Sequence, residues 1–249
     1  MVEAVLSDID GTLVESNWLH AAAWRDAFAV IDIPLDIETL RKQIGKGGDQ
    51  LIPVFVPWWK RPMVEEPLKT YRSFLFHQDY FHQVTPFPRV RDLFLRFKQS
   101  GIRTALASST DKADLDTYMK IANISDLVDE TTSADAADRS KPHPDIFSAS
   151  LQRLHAKPTS VLALGDTPYD AESAGKAGIR TIGVTTGGWS RQELLDAGCI
   201  EVYKDVAELL DRFDQSGHRD ECRDILLAEN EYHARLNAAR GPSAGQGGR

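Results

Sequence analysis

Cysteine is scarce: only Cys199 and Cys222 occur in 249 residues. Two thiols cannot build a disulfide framework or a zinc cluster. Long apolar runs are missing too, and no stretch approaches the ~18 consecutive apolar residues of a membrane-spanning helix. The N-terminus lacks a basic segment, and Asp8 and Asp10 interrupt its apolar run, so it does not read as a secretory signal. Positive charge is in deficit, with 29 Lys and Arg against 37 Asp and Glu and a net charge of -8. No positive field would draw a phosphate backbone, so neither a nucleic-acid nor a membrane partner is expected. Small anionic substrates stay open, because they respond to local charge. No internal repeat is present, and a cytoplasmic location is the default expectation.

What remains is an ordinary soluble composition, 42% apolar and 27% charged. The length suits one large α/β domain, or a core carrying an inserted second domain. Residues 2–7 form a short apolar run that ends at acidic and glycine residues, the pattern of a buried strand leading into a functional loop. Helical spacing follows over 17–31, with Asn17 as N-cap, and over 36–44, stopped by Gly45-Lys46-Gly47-Gly48. Residues 62–83 are helical and aromatic, and 14–86 contain no strand.

Beyond Pro88 the pattern alternates. Helices are expected at 88–100, 111–122, 143–155, 170–177, 190–197 and 205–213, and strands at 102–107, 127–131, 160–164 and 180–184. That alternation predicts an α/β fold with a doubly wound parallel sheet, interrupted after its first strand by an all-helical insertion. Residues 216–238 are charged and weakly helical, with Ile225, Leu226 and Leu236 among the charges. The Gly-rich end beyond them has too little apolar surface to order itself.

Four small motifs fall at the carboxyl ends of predicted strands, where open α/β sheets bind ligands. In Asp8-Ile9-Asp10-Gly11-Thr12-Leu13, a turn at Gly11 lets both carboxylates face one phosphate, one as nucleophile and one as proton donor. The same residues also suit a plain solvated turn. Ser108-Ser109-Thr110 offers hydroxyls and free backbone N–H groups to an anion, or caps a helix. In Lys141-Pro142-His143-Pro144-Asp145, Lys141 either reaches inward as a point charge or sits exposed before a helix. Gly165-Asp166-Thr167-Pro168-Tyr169-Asp170 supplies two carboxylates suited to Mg²⁺, or a capping turn.

Singly these signals are weak; together and in this order they carry a resemblance. The chain resembles the haloacid dehalogenase (HAD) superfamily over roughly residues 1–210, in its phosphoglycolate phosphatase and β-phosphoglucomutase-like group. The resemblance implies a Rossmann-like core at 1–13 and 87–215, a helical cap at 14–86, and a C-terminal helix and disordered tail at 216–249 outside the match. It also implies an Mg²⁺-dependent phosphatase acting on a small phosphorylated metabolite, as a monomer or small homo-oligomer. Asp8 would become a phosphoaspartate, and Asp10 would act as acid and then base. The cation would be held by Asp8, the Asp10 backbone carbonyl and Asp166, with Asp170 acting through water or steadying the site. Ser108, Ser109 and Lys141 would hold phosphate oxygens, and Lys141 would keep Asp8 ionised.

Other chemistries of the superfamily fit less well. Dehalogenases lack the second aspartate of the first motif, and Asp10 is present. Phosphonoacetaldehyde hydrolases need a cap lysine after a Met-Gly pair, which Gln43-Ile44-Gly45-Lys46 does not match. The β-phosphoglucomutase reading draws on His20, Trp24 and Lys46, which match that group's spacing. Against it, the fourth motif is Gly165-Asp166 rather than Glu-Asp, and Asp111 and Lys112 replace the lysine and asparagine expected after Ser108. His20 is either an interface residue or a link from cap closure to Asp10. Lys46 is either a solvated loop residue or a substrate contact. Trp58 and Trp59 are read as cap packing, and Gly187-Gly188-Trp189 as a loop that shapes structure. A catalytically silent binding module is disfavoured, since no expected catalytic side chain is missing.

Overall fold

The computed structural model describes residues 2–215. The chain opens with β1 (Ala4–Ser7) and a two-residue strand β2 (Val14–Glu15). It then forms α1 (Asn17–Val30), α2 (Ile37–Arg41), α3 (Gly48–Phe55) and α4 (Arg61–Leu75). A π turn (Phe76–Tyr80) and a 3-10 turn (Phe81–Gln83) carry α4 into β3 (Thr85–Pro86). From there helix and strand alternate: α5 (Val90–Gln99), β4 (Arg103–Ala107), α6 (Lys112–Ile121), β5 (Glu130–Thr132), α7 (Asp145–Leu154), β6 (Val161–Gly165), α8 (Pro168–Lys176), β7 (Arg180–Val184), α9 (Arg191–Asp196), β8 (Cys199–Tyr203) and α10 (Val206–Gln215). Val2–Leu210 form one compact unit, and Asp211–Gln215 are the described part of a second. The C-terminal helix and tail expected at 216–249 lie outside the described residues.

Six strands form one parallel sheet in the order β5-β4-β1-β6-β7-β8. β1 is central, and all four of its residues are buried. All five residues of β6 are buried as well, as expected of parallel strands covered on both faces. Leu6, Ala105, Ala107, Ala163, Phe147 and Ile146 join in one buried cluster between the sheet and its helices. The chain leaves β1 toward β4 on one side and later passes from β6 to β7 on the other. That reversal opens a crevice at the carboxyl ends of β1, β4 and β6.

Residues between β2 and β3 form a second apolar cluster, with Trp24, Phe28, Leu40, Leu51, Ile52 and Leu68 among its members. This segment is not strand-free, contrary to expectation. Val14–Glu15 pair antiparallel with Thr85–Pro86, clamping its two ends together. Two-residue strands are too short to show alternation, so the sequence carried no sign of them. Strand β8 also escaped the sequence reading, because Glu201 breaks its apolar run and only its first and fourth residues are buried. The glycine cluster is a helix start as well as a stop, since α3 begins at Gly48. Trp58 and Trp59 are not packing residues. They are 74% and 60% exposed and meet each other edge to face at 5.9 Å. Asn17 is not a cap either: Ser16 holds that position, and Asn17 points into the site described next.

Candidate active site

Asp8 directly follows β1, Ser108 follows β4, and Asp166 follows β6, while Lys141 lies in the loop between β5 and α7. Adjacent strands set these positions: the Asp8 N–H donates to the Leu164 carbonyl at 2.8 Å, and the Ser108 N–H to the Thr132 carbonyl at 3.1 Å. Gly11 then turns the chain in the left-handed region, at φ 78°. A β-carbon there would stand 2.1 Å from Asn17 Nδ2 and 2.3 Å from Asp166 Oδ2, so only glycine fits.

The Lys141 ammonium, almost wholly buried, contacts Asp8 Oδ1 and lies 2.8 Å from Asp170 Oδ1. Asp170 turns its other oxygen to the start of α8, accepting from the Thr167 hydroxyl at 2.6 Å and the Thr167 N–H at 3.1 Å in a capping box. Asp166, fully buried, accepts from the Thr12 hydroxyl at 2.8 Å and the Asn17 amide at 2.7 Å. Three carboxylates therefore crowd together, with one ammonium bridging two of them, Asp8 and Asp170. Burial, only partly offset by Lys141, combines with the charges of Asp170 and Asp10 to raise the Asp8 carboxyl to about 7. The lysine pulls Asp8 down but does not win. Burial and the charges of Asp170 and Asp8 also raise Asp166 well above the usual carboxylate range. Burial opposes the charge on Lys141, but Asp170 and Asp8 outweigh it and raise its pKa.

Asp10 faces a different set of partners. Its Oδ1 accepts from the Ser16 hydroxyl at 2.6 Å and lies 2.8 Å from His20 Nε2, and its Oδ2 accepts from the Thr110 hydroxyl at 2.9 Å. Burial alone would raise Asp10, but His20, Ser16 and Thr110 overcome it and hold the carboxyl below its ordinary range. Burial keeps the His20 pKa low, against the pull of Asp10. His20 also contacts Arg72 of α4 through Nδ1 and the Tyr118 hydroxyl at 3.3 Å through Nε2.

The remaining expected residues sort as follows. Ser108 is buried, and its hydroxyl accepts from the Thr110 N–H at 3.1 Å. The Ser109 hydroxyl is buried with no hydrogen-bond partner among the described residues, which leaves it free for an anion. Lys46 makes its contacts with Gln43 Oε1, at 2.7 Å, and the Tyr169 ring, at 4.5 Å, rather than with the carboxylates. The Gly187 loop does more than shape the fold. A β-carbon on Gly187 would stand 2.0 Å from Asp166 Oδ2, and the Thr186 hydroxyl donates to the Gly11 carbonyl. Thr12, Ser16, Arg72, Thr110 and Tyr118 were not singled out by sequence reasoning, and Asn17 was read only as a helix cap. Thr12 and Thr110 stood inside the quoted motifs, whereas Arg72 and Tyr118 carried no local signal.

Carboxylate oxygens of Asp8, Asp166 and Asp170 all lie within 4.8 Å of one another. Hard oxygen donors, buried and short of positive charge, fit a divalent cation. The Asp10 carboxylate is outside that group, occupied by its three donors. The helical segment lies against the strand ends at several points. His77 meets Asp114 of α6 at 2.7 Å, the Ser140 N–H donates to Asp49 at 3.2 Å, and the Tyr169 hydroxyl donates to the Lys42 carbonyl at 2.6 Å. Among the described residues no helix is long and apolar enough to cross a membrane.

An open α/β sheet that gathers buried carboxylates and a lysine at its carboxyl edge, under a helical insertion, defines an enzyme class. Residues 5–184 match the family model of haloacid dehalogenase-like hydrolases, and the chain belongs to that family. Protein CbbY from Cereibacter sphaeroides is 29% identical over 221 residues, covering 84% of this chain and 94% of that protein. The pyrophosphatase PpaX of Oceanobacillus iheyensis is 24% identical over 192 residues, covering 77% and 86%. Among solved structures, CbbY from Rhodobacter sphaeroides in complex with xylulose-(1,5)bisphosphate is similar at TM-score 0.68 and 27% identity, covering 84% of this chain and 96% of that one.

Proposed function

We propose that the protein is an Mg²⁺-dependent phosphatase that hydrolyses a small phosphomonoester through a phosphoaspartate on Asp8. One observation carries this reading: a buried lysine bridges Asp8 and Asp170 within a three-carboxylate cluster, while Asp10 stands beside it with a separate set of donors. Asp8 and Asp10 stand among separate sets of partners, which suits a nucleophile and an acid–base group that act on opposite sides of one phosphorus. The relatives named above, which include a pyrophosphatase and a protein crystallised with a sugar bisphosphate, support a phosphorylated substrate.

In the first half-reaction an Asp8 carboxylate oxygen attacks phosphorus. The bond from phosphorus to the leaving oxygen breaks, and that oxygen takes a proton from Asp10. In the second, the Asp10 carboxylate takes a proton from water, the water oxygen attacks phosphorus, and the bond to Asp8 breaks. Asp8 is then free, inorganic phosphate departs, and Asp10 holds a proton again. Ser108, Ser109 and Lys141 hold the non-bridging oxygens, with Lys141 as a fixed point charge. Asp8, the Asp10 carbonyl and Asp166 would bind Mg²⁺, and Asp170 would steady both Lys141 and the cation site. When bound, the cation supplies positive charge that relieves carboxylate repulsion and screens the phosphoryl oxygens. Lys46 and His20 belong to the substrate-facing side of the insertion in this reading.

The test is phosphate release from a panel of phosphometabolites with Mg²⁺. One or a few phosphomonoesters should be hydrolysed, and Asp8→Asn should keep less than a few per cent of that activity with the fold intact. A silent panel, or an active Asp8→Asn variant, would overturn the proposal. β-Glucose 1-phosphate should give inorganic phosphate or nothing; net conversion to glucose 6-phosphate would establish the mutase instead.

A further inference from the structure

Helix α4 buries one face and leaves the other open. Leu68 packs into the second apolar cluster, and Arg72 turns toward His20. Met63, Pro67, Thr70, Tyr71 and Phe74 are exposed, and they recur at the i, i+4, i+7, i+8, i+11 spacing of a single helix face. Met63 is 71% exposed and Phe74 56%, and the Tyr71 and Phe74 rings stack on each other at 6.3 Å. The exposed indoles of Trp58 and Trp59 stand in the turn just ahead of α4, at the N-terminal end of the same helix. An aromatic side chain covers roughly 150–250 Å² when buried, so these exposed fractions leave on the order of 600 Å² of apolar surface open to water. The largest patch on a lone monomer is about 300–600 Å², and one side of a stable protein–protein interface about 800 Å². With its polar margin the face has the size of one side of an interface. That margin is polarised along the helix. Lys60 is exposed at the N-terminal end, and Asp79 is exposed just past the C-terminal end.

We propose that the exposed face of α4, with Trp58 and Trp59, is a two-fold interface on which two copies of this chain pair antiparallel. A two-fold axis between Pro67 and Thr70 sets Met63 against Phe74 of the second copy, and Pro67 against its Thr70. The same operation brings Lys60 to Asp79 of the second copy, so the basic end of each helix meets the acidic end of the other. It also lays Trp58 and Trp59 beside Gln78 and Asp79 of the second copy, whose side-chain oxygens accept the indole N–H groups. A bilayer suits the face less well. Interfacial helices flank their apolar side with Lys and Arg, whereas Glu65 and Glu66 flank this one and already engage Lys69 at 3.0 and 2.8 Å. The net charge of -8 adds to the repulsion from anionic lipid. Because Arg72 and Leu68 point away from this face, pairing leaves each copy its own site at the strand ends. The pairing stands apart from the phosphatase reading and holds or fails without it.

The test is the mass of the full chain by sedimentation velocity, up to about 100 µM. The unaltered protein should sediment at twice the 27.7 kDa of one chain. Met63→Glu with Phe74→Glu should raise the dimer dissociation constant by at least about 100-fold, the cost of losing two central anchors, with the far-UV circular dichroism unchanged. Lys60→Glu alone and Asp79→Lys alone should each weaken the dimer about tenfold, since each sets like charges together twice across the axis. Both reversals in one chain should restore most of the affinity, which only an antiparallel register allows. A dimer that survives Met63→Glu with Phe74→Glu, or one that the double reversal weakens more than either single change, overturns the proposal. So does a monomer at the highest concentration. A monomer that co-sediments with phosphatidylcholine vesicles assigns the face to a bilayer instead. A monomer whose melting point drops with Met63→Glu and Phe74→Glu assigns it to residues 216–249 of the same chain. If the double glutamate variant does not fold, the charge reversals at Lys60 and Asp79 decide the matter.

Discussion

Replacing Asp8 with asparagine removes one charge from a cluster of three buried carboxylates in which a single ammonium bridges Asp8 and Asp170. The Asp8 carboxyl lies at about 7 in the fold, chiefly through burial, and near 3.9 in an unfolded chain. Its folded pKa is raised, so the folded state binds the proton more tightly than the unfolded one. The stabilisation this gives is complete below about pH 4 and is lost as pH rises through about 7. Roughly three pKa units at ~1.36 kcal/mol each make the loss on the order of 4 kcal/mol in metal-free protein. The asparagine amide does not titrate. The stability of wild type minus that of Asp8→Asn should therefore fall by about that amount between about pH 4 and pH 8, or roughly 10 °C in Tm for a domain of this size. Urea unfolding of both proteins in EDTA, across that pH range, measures the difference directly. Mg²⁺ at about 100 times its Kd should then return ~2.7 kcal/mol to the wild type at pH 8, and less to Asp8→Asn. A pH-independent difference between the two proteins, or one that grows with pH, would refute the crowding argument.

Two further perturbations probe the supports of Asp166. Asn17→Ala removes the amide that holds Asp166 Oδ2 at 2.7 Å; Mg²⁺ affinity by calorimetry should weaken about 10–100-fold, and unchanged affinity would exclude Asn17 from the cation site. Gly187→Ala drives a β-carbon to 2.0 Å from the same oxygen, while Thr12 and Asn17 prevent Asp166 from yielding. It should cost roughly 1–3 kcal/mol of stability in urea unfolding and weaken Mg²⁺ binding, and a variant as stable as wild type would show that the loop can retreat.

Much of the core was legible because its signals are local. The apolar run at 160–164 lies within one residue of β6, and that at 180–184 coincides with β7. Asp8, Ser108 and Asp166 also stand just past strand ends, as alternation with helices requires, whereas Lys141 lies farther on, in the loop before α7. The misses share a physical cause. β2 and β3 exist only as partners of each other, 70 residues apart in register from Glu15 to Thr85. β8 is recruited by the edge of β7 despite Glu201 in its middle. Asn17 looked like a cap because the sequence shows a polar residue before an apolar run, and not that Asp166 lies beside it.

The four motifs needed only the sequence, because a strand end followed by Asp, Ser or Gly is written in consecutive residues. That pattern sufficed to name Asp8, Asp10, Ser108, Lys141, Asp166 and Asp170. Tertiary structure decided how the carboxylates divide. Asp8, Asp166 and Asp170 share one buried, charge-poor cluster, and Asp10 is drawn apart by Ser16, His20 and Thr110. It alone brought Arg72 to His20, 52 residues away along the chain. Charges interact through space, so pKa values, tautomers and cation sites follow from which side chains meet once the chain has folded.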